Sequence, residues 1–468
     1  MRKFGSIILL VLHLAGCGHL TEHQPASAPL VPIVWQNVAP QATRQPEAGW
    51  HQLSDPHLDA LIKQALAGNR DLVKMAIRLQ RASLQSEYAN QNKLPAFSVS
   101  GGVNVQRKLT SSDRDASVQV NGINYQIPAN GNIHAYFVSA GLNYEVDIWS
   151  RIAHLIKADS AGMAAAAADL EAAKLILVTS VAQHYWHIAL QDEEIAAVAQ
   201  GIAQAETTLA HGKLRKQVGT ASTYDVLQIE SSLIDRRAYL NGLKQRRLEE
   251  TYALAMLLDE PPENFVLPEA SLPMAPMPGI SAGLPIELLD RRPDLRAARL
   301  RLDEVLYRLN ASEVARYPQF TLTSSINTSS TALRDALSNP LASAGLNVVL
   351  PFIDWRRMRI ARDSSRTQYL EAEVEFRETL YKALVEVETA LSASVRLSED
   401  TKHAGEDLAF AAKQEKITLL RYQSGATGQQ SWLDEQEKYR GAALRLSRQR
   451  VAELDNFMGL YKALGFLF

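Results

Sequence analysis

Two histidines are the best candidates for metal or acid–base chemistry in this 468-residue chain. His184 and His187 are three positions apart, so a helix would place both imidazoles on one face, with Asp192 beyond them. A zinc site needs three or four ligands, and two histidines do not make one. The pair also continues a polar strip with Ser180 and Gln191, which a hydrated lumen or a subunit contact explains. We therefore expect no metal site and no cofactor here.

Other signatures of catalysis are missing from the sequence. It contains no glycine-rich phosphate loop, nucleophile elbow or HExxH pattern. The chain has 49 basic and 51 acidic residues, and removal of a targeting segment that contains Arg2 and Lys3 makes it slightly more acidic. That balance gives no basic surface for nucleic acid. We expect neither an enzyme nor a nucleic-acid-binding protein.

The N-terminus carries a targeting signal. Residues 1–16 combine two basic residues with an apolar run and small residues, as secretory signal peptides do. The tetrapeptide Leu14-Ala15-Gly16-Cys17 resembles the bacterial lipobox, in which the cysteine becomes the lipid-carrying first residue. Cys17 is the only cysteine, so no disulfide can form within the chain. We expect covalent lipid on Cys17 and an acylated extension over 17–54. Gly18 follows in place of Asp, which by resemblance to sorted lipoproteins favours the outer membrane.

A five-residue motif, Ser-Ala-Gly-Leu-Asn, occurs twice in the chain, from Ser139 and again from Ser343. Each copy lies in a short alternating segment that leads into a very long helical one, so the chain contains one structural unit written twice. Matching residues of the two copies are farther apart in sequence before the strands than after them. This difference indicates a longer loop between the two strands of the first unit. We expect a first repeat over 55–258, a linker over 259–283 and a second repeat over 284–468.

Four segments alternate between apolar and small or polar residues. They cover about 96–107, 134–147, 318–328 and 342–351. Segments of about ten residues with one apolar face match transmembrane barrel strands, whereas a soluble sandwich is the competing interpretation. Four strands are few for a chain of this length, and open sheet edges cannot be satisfied in lipid. The strands must therefore pair with those of other copies, so we expect an oligomer.

Long helical segments follow each pair of strands. They cover about 150–215, 222–258, 356–422 and 428–464. A segment of about 65 residues forms a rod roughly 100 Å long, which fits a duct better than a globule. The third of these helices has two adjacent heptad stripes, one of them interrupted by Glu388. A helix with two seams needs a neighbour on each side, as in the wall of a tube.

Each long helix returns through a tight turn with a central glycine. The turns are Val218-Gly219-Thr220 in the first repeat and Ser424-Gly425-Ala426 in the second. The segment Thr427-Gly428-Gln429-Gln430 has the spacing of a capping box for the returning helix. Both turns lie at the far end of the helices from the strands.

Several motifs together resemble the outer-membrane efflux protein family (TolC-like), specifically the lipoprotein branch that acts with resistance-nodulation-division type pumps. The most specific is the segment 284–298, which contains Arg291-Arg292-Pro293-Asp294-Leu295. The others are Ala315-Arg316-Tyr317-Pro318-Gln319-Phe320, Tyr422-Gln423-Ser424-Gly425 and Leu460-Tyr461-Lys462-Ala463-Leu464-Gly465. The resemblance covers essentially the whole mature chain.

The resemblance implies an α+β membrane protein built from two tandem repeats. Three copies, with four strands each, would close a 12-stranded transmembrane β-barrel that is continued by a long α-helical barrel in the periplasm. The implied function is the outer-membrane channel of a tripartite efflux system. Its partners would be two further copies of the chain, a periplasmic adaptor, an inner-membrane pump and outer-membrane lipid. A lipid-anchored scaffold, type I protein secretion and metal-ion efflux are the alternatives.

The resemblance also implies a gate at the two turns. In relatives, an Asp at the position of Asp225 pairs with an Arg on the second turn, and the Asp at the position of Asp434 faces the axis. The Arg position is Thr427 here, so Asp225 must bond to a hydroxyl, to Tyr422 or to a basic neighbour. The candidate gate residues are Tyr224, Asp225, Gln228, Tyr422, Thr427, Gln430 and Asp434. The adaptor-contact residues are Val218, Gly219, Thr220, Ser424, Gly425 and Ala426.

Overall fold

The structure is a computed structural model, and its described residues form two compact units that each draw on both repeats. The strand unit comprises Gln80–Ala165 and Arg299–Glu375, and the helical unit comprises Pro29–Leu79, Ala166–Ala298 and Phe376–Phe468. The predicted signal peptide and Cys17 lie outside the described residues. The structure describes residues 31–37, 55–107, 116–120, 123–127, 132–263, 265–267, 270–273, 277–280 and 282–466.

The strand unit is organised around a four-stranded antiparallel sheet in the order β1-β4-β5-β6. The register pairs Phe97 with Leu142, Val146 with Phe320, and Phe320 with Val348. Each repeat supplies one end of the sheet, and the two repeats meet between β4 and β5. Its strands are β1 (Ala96–Arg107), β4 (Asn132–Val146), β5 (Gln319–Ser330) and β6 (Leu341–Val349).

Alternation along these strands gives the sheet two different faces. Phe97 and Val99 leave 79% and 80% of their surface exposed in the single chain, and Leu346 leaves 59%. Small polar side chains bond across the strands, as Ser139 does to Asn327 at 2.5 Å. An apolar exposed surface beside such polar pairs is the arrangement that a membrane-spanning strand requires.

A second, two-stranded sheet occupies the longer loop of the first repeat. The strands β2 (Ala116–Val120) and β3 (Ile123–Ile127) form an antiparallel hairpin that the sequence analysis did not predict. The hydroxyl of Tyr125 lies 2.6 Å from Oγ of Ser329, which ties the hairpin to β5. Both strands alternate along their five residues, and the Asn121-Gly122 pair between them in the sequence is a strong hairpin signal, so the pattern was present and was overlooked.

Helices make up most of the chain. Two of them, α3 with 67 residues and α7 with 69, each extend about 100 Å at the rise of an α-helix. Among the described residues, no helix is both long enough and apolar enough to span a membrane. The helices are α1 (Pro56–Gly68), α2 (Arg70–Gln91), α3 (Arg151–Gln217), α4 (Thr223–Leu257), α5 (Leu288–Arg291), α6 (Pro293–Val314), α7 (Trp355–Gln423) and α8 (Gln429–Ala463).

The core of the helical unit forms on one stripe of α3. Val178, Val181, Tyr185 and Ile188 are spaced at three and four positions, and all four are fully buried. Full burial of an aliphatic side chain of this size stabilises by about 1.5–3 kcal/mol, so this stripe fixes the packing of the unit. Its neighbours in the core include Leu58 and Ile62 of α1, Leu254 of α4, Leu380 and Val387 of α7, and Leu454 and Met458 of α8.

The N-terminal segment 31–37 is fastened to the helical unit and explains the charge that interrupts a heptad stripe. Trp35 is buried, and its indole N–H donates to the carbonyl of Gly283 at 2.9 Å. The carboxylate of Glu388 on α7 accepts from the backbone N–H of Gln36 at 2.6 Å and from the side-chain amide of Asn37 at 3.1 Å. Glu388 therefore accepts hydrogen bonds from this segment, at a position of the heptad stripe where an apolar residue would be expected.

Arg292, the second arginine of the family-like motif, is buried and links separate segments of the helical unit. Arg292 donates to Asp294 at 2.7 Å, to Glu386 at 2.8 Å and to the carbonyl of Ala463 at 3.0 Å. Although burial acts in the opposite direction, the bonds from Arg292 hold the pKa of Asp294 below its usual range. The motif thus joins the start of α6 to α7 and to the end of α8.

Candidate functional site at the two helical turns

The first turn reverses the chain between α3 and α4 through a glycine in the left-handed region. Gly219 has φ +77°, which a residue with a Cβ adopts only with strain. The N–H of Thr220 donates to the carbonyl of Arg215 at 2.8 Å, so the last carbonyls of α3 are satisfied within the turn. Val218 and Tyr224 remain 74% and 73% exposed beside it. An exposed apolar side chain at the tip of a helical hairpin is available to a partner.

Asp225 is bonded inside its own turn. Its carboxylate accepts from the N–H of Ser222 at 2.9 Å, and its own N–H donates to Oγ of Ser222 at 3.1 Å, which completes a capping box. The hydrogen bonds to the backbone and then to the side chain of Ser222, with a smaller effect from the charge of Arg215, lower the pKa of Asp225 below its usual value. Asp225 therefore stays ionised at neutral pH while it fixes the start of α4.

The second turn repeats the reversal but begins its returning helix differently. Gly425 has φ +74°, and the N–H of Ala426 donates to the carbonyl of Arg421 at 2.8 Å. Helix α8 begins at Gln429 with Gly428 as its N-cap, and no side chain caps it. The capping box expected from Thr427 was therefore wrong, since the chain enters the helix one residue later than that pattern requires.

Three of the candidate gate residues line one groove of about 300 Å³ in the helical unit. Gln228 of α4 lies there with Gln430 and Asp434 of α8, against the stretch of α3 around Gln204. The amide of Gln430 donates to the Asp434 carboxylate at 2.8 Å. The fold thus brings residues of the first and second turns together, since Gln228 and Gln430 are 202 positions apart in the sequence.

Ion pairs hold the same groove together. Arg236 of α4 donates to Glu437 of α8 at 2.9 Å, and Arg440 donates to Glu437 at 2.6 Å and to Gln204 at 2.5 Å. Burial opposes ionisation of Glu437, but the bonds from the two arginines lower its pKa below its usual range. The sequence analysis missed these residues, because a pair that spans two helices leaves no spacing signal in the chain.

Tyr422 stacks on an aromatic residue that the sequence analysis also missed. Its ring lies 5.6 Å from that of Trp432, with the planes 7° apart. The indole N–H of Trp432 donates to Glu415 at 2.8 Å, which fixes the stack between α7 and α8. Tyr422 and Trp432 therefore brace the second hairpin close to its turn.

The two histidines link three helices of the helical unit. His184 Nδ1 lies 2.5 Å from a carboxylate oxygen of Glu250 on α4, and His187 Nε2 lies 2.8 Å from Asp455 on α8. Asp192 is taken up separately by Arg247. Among the described residues, no group of three or more His, Cys, Asp or Glu could hold a metal ion.

Comparison with known proteins decides the family. The model of a family described as outer membrane efflux protein matches residues 61–259 and 284–466. The chain belongs to the outer membrane efflux protein family. A relative, the pyoverdine export outer membrane protein OpmQ of Pseudomonas aeruginosa, is 26% identical over 98% of this chain and 96% of its own length. The toluene efflux pump outer membrane protein TtgF of Pseudomonas putida is also 26% identical, over 98% of this chain and 95% of its own.

A solved structure supports the fold. The outer membrane channel CmeC of Campylobacter jejuni superposes with a TM-score of 0.82 at 20% identity, and the match covers 95% of this chain and 94% of that one. The predicted fold class is confirmed: the chain is an α+β membrane protein of two repeats that forms a trimer, with a 12-stranded barrel of four strands from each chain and a helical barrel. Family members and these structural neighbours are transport channels.

The assignment to this family fixes the place and the class of function of the protein. It is an outer-membrane efflux channel whose helices extend into the periplasm. It works as a homotrimer with an adaptor protein and an inner-membrane pump. The predictions of family, function, partners and outer-membrane localisation are therefore confirmed, whereas the lipid anchor on Cys17 stays a prediction. The strand edge that leads into the helices is the periplasmic edge.

Proposed function

We propose that this efflux channel is a passive exit duct for small organic molecules, closed at rest where the groove of Gln228, Gln430 and Asp434 joins the two helical hairpins. The observation that carries the proposal is this groove, in which residues beside both turns share contacts on three helices. The inner-membrane pump supplies the energy. The chain itself has no catalytic step in this scheme and needs no cofactor.

The proposed closure depends on several weak links in place of one strong ion pair. A neutral hydrogen bond contributes about 0.5–1.5 kcal/mol, and an exposed ion pair contributes no more. Thr427 cannot form the ionic link that relatives use at its position, and Asp225 is bonded to Ser222. Three symmetry-related grooves, each with an Asp434, can together hold the helices closed. Because each link is weak, a partner can still open them.

Single-channel current in planar bilayers tests this gate. A ring of carboxylates at a constriction favours cations, so the wild type should show a small, cation-selective conductance. Asp434→Ala should reduce the selectivity, and the pair Asp225→Ala with Tyr422→Ala, which removes the ring stacked on Trp432, should raise the conductance by loosening both turns. Asp235→Ala removes an exposed carboxylate outside the groove and serves as the control. Unchanged selectivity in Asp434→Ala, together with unchanged conductance in the double variant, would contradict the gate.

We infer the class of cargo from the relatives. OpmQ is named for pyoverdine export and TtgF for a toluene efflux pump, so small organic molecules are the first candidates. Deletion of the gene should increase sensitivity to a panel of antibiotics, dyes and solvents, and a plasmid copy should restore resistance. Sensitivity confined to metal salts would instead support the metal-ion alternative.

We also propose that the six turn residues, from Val218 to Thr220 and from Ser424 to Ala426, contact the adaptor. The side chain of Val218 is 74% exposed and has no role in the core. Val218→Asp should weaken adaptor binding without altering trimer formation. The control is Val385→Asp on α7, where the valine is also largely exposed, at 64%. Equal loss of adaptor binding in both variants would argue against a specific role for the turn.

Lipid on Cys17 completes the proposal. The lipobox predicts that the mature protein begins at this residue and carries acyl chains. Several chains anchor stably, because each buried methylene contributes about 0.8 kcal/mol. Mass spectrometry of the N-terminal peptide should show the added mass, and a cleaved but unmodified Cys17 would refute the assignment.

A further inference from the structure

The periplasmic edge of the four-stranded sheet gathers residues from four separate parts of the chain. Strands β1 and β5 begin there, and strands β4 and β6 end there, since the register pairs Ala96 with Asn143, Phe320 with Val146, and Gln319 with Val349. The residues just outside these strand ends therefore lie together at the level where the membrane meets the periplasm.

Aromatic residues mark this edge between β4 and β5. The rings of Trp149 and Tyr317 lie 4.9 Å apart, and the indole N–H of Trp149 donates to the carbonyl of Pro318 at 2.8 Å. The guanidinium carbon of Arg316 lies 5.2 Å from the centre of the Tyr317 ring. The same guanidinium donates to the Tyr317 hydroxyl at 3.3 Å, so the aromatic ring orders an exposed arginine at this edge.

A second aromatic residue with a stacked arginine follows β6. Trp355 is 58% exposed, and the guanidinium carbon of Arg356 lies 5.5 Å from the centre of its ring. Phe352 and Ile353, just before it, are 51% and 72% exposed. Exposed aromatic and aliphatic side chains beside a membrane-spanning strand are typical of the membrane–water interface.

Three arginines at this edge have no carboxylate partner in the part of the chain that the structure describes. They are Arg316, Arg356 and Arg357, whereas Arg151 is paired with Glu145 and Arg359 with Asp363. The nearest acid in sequence, Asp354, accepts the backbone N–H of Arg357 at 3.4 Å as a cap of α7. The edge therefore presents three guanidinium groups that no described carboxylate pairs with directly.

Two of these arginines lie at a helix N-terminus, where the capping carboxylate of Asp354 offsets part of the positive charge and a further anion would be favourable. Arg356 and Arg357 lie in the first turn of α7, which contains no acidic residue. The N-terminus of a helix carries partial positive charge and repels cations, but it attracts phosphate groups. A phosphate at this place would interact favourably with both the helix end and the guanidinium groups.

We propose that Arg316, Arg356 and Arg357, with Trp149, Tyr317 and Trp355, form a collar that binds the headgroups of anionic phospholipids in the periplasmic leaflet of the outer membrane. Two observations favour lipid over another partner. The collar continues the lipid-facing surface of the strands, and its unpaired positive charge complements a headgroup phosphate. The proposal rests on the membrane placement of the strands and is independent of the gate.

Quenching by brominated lipids tests the collar, because Trp149 and Trp355 lie within it. The wild-type trimer is reconstituted into vesicles of phosphatidylcholine that contain either brominated phosphatidylglycerol or brominated phosphatidylcholine at equal fraction. Each arginine near a membrane surface should favour the anionic lipid roughly fivefold, so phosphatidylglycerol should quench the tryptophans more strongly. The preference should fall as sodium chloride is added, because salt screens the headgroup charge.

Variants assign the preference to the collar. Arg356→Gln with Arg357→Gln should reduce it at least fivefold, whereas the matching pair to lysine, which retains the charge, should keep most of it. Lys413→Gln with Lys416→Gln removes two exposed charges from the same helix, far from the sheet edge, and should leave it unchanged.

Three results would overturn the collar. They are equal quenching by both lipids in the wild type, a preference that survives the glutamine pair, and an equal loss in the lysine control. Inorganic phosphate that abolishes the preference, when chloride of equal ionic strength does not, would assign the site to free phosphate. Single-channel conductance of the glutamine pair should remain that of the wild type, which separates failure of the collar from failure of the export duct.

Discussion

Replacement of Asp455 by Asn should destabilise the protein at mildly acidic pH and have little effect at alkaline pH. Asp455 lies 2.8 Å from Nε2 of His187, and Glu250 lies 3.7 Å from Nδ1 of the same ring. The bonds join α3 to α4 and to α8, so they connect the two repeats within the helical unit. Their strength depends on the charge of the imidazole.

The direction of the effect follows from the pKa of His187. The hydrogen bond to Asp455 raises this pKa above its ordinary value of 6.5, against the effect of burial and with help from the charges of Asp455 and Glu250. A group whose pKa is raised by folding contributes its full stabilisation to the folded state at pH values below the pKa that it has in the unfolded chain. That stabilisation is lost as the pH rises through the pKa of the group in the folded protein.

The magnitude is modest, because the three side chains are 26% to 39% exposed. Solvent screens such a pair, so it contributes about 1 kcal/mol per chain in place of the 3–5 kcal/mol lost when a fully buried pair is broken. A loss of that size lowers the midpoint of thermal unfolding by about 2 °C in a large protein. At a pH above the folded pKa of His187, most of this difference should vanish.

Thermal unfolding of the detergent-solubilised trimer, followed by circular dichroism at one scan rate, measures the effect at about pH 5.5 and about pH 9, on either side of the histidine transition. Asp192→Asn is the matched control, because Asp192 pairs with Arg247, which remains charged throughout this range. His187→Gln should abolish the pH dependence of the Asp455→Asn effect. The reasoning is refuted if Asp455→Asn costs the same at both pH values, or if Asp192→Asn shows the same pH dependence.

Three further substitutions test the fold. Leu346→Arg should lower the yield of SDS-resistant trimer far more than Asn347→Arg, because a charge on the lipid face costs about 2–4 kcal/mol at mid-membrane. Equal yields would contradict the assignment of Leu346 to the lipid face. Arg292→Leu should lower the free energy of unfolding by about 2 kcal/mol, which is less than for a wholly buried network because its carboxylate partners are partly exposed. Denaturant titration measures this free energy, and an unchanged value would show that the Arg292 contacts do not stabilise the fold. Gly425→Ala should cost about 1–2 kcal/mol in the left-handed region, whereas Gly459→Ala, helical with open space around it, should be neutral or slightly stabilising.

The membrane strands could be read from the sequence because their physical cause is local. A strand with lipid on one side must alternate along its own length, so Phe97 and Val99 mark the exposed face without knowledge of their partners. Gly219 and Gly425 identified the turns for the same reason, since their backbone conformation excludes most other residues. The hairpin of β2 and β3 was readable for the same reason, from its alternation and from the Asn-Gly pair between the strands, but it was overlooked.

The contacts at the candidate site could not be read in the same way. Glu437 meets Arg236, and Trp432 meets Tyr422 and Glu415, only because the helices cross at those positions. The position of Thr427 suggested a capping box, but the turn geometry made Gly428 the cap.

The sequence by itself determined the strands, the long helices, the glycine turns and the family, since each depends on residues close together in the chain or on a contiguous motif. Only the tertiary structure decided that Glu388 holds the N-terminal segment, that His187 connects both repeats and that three arginines at the sheet edge lack partners. Pairing between charged groups depends on distances of a few ångströms across helices, and side-chain spacing along one helix carries no record of the helix opposite.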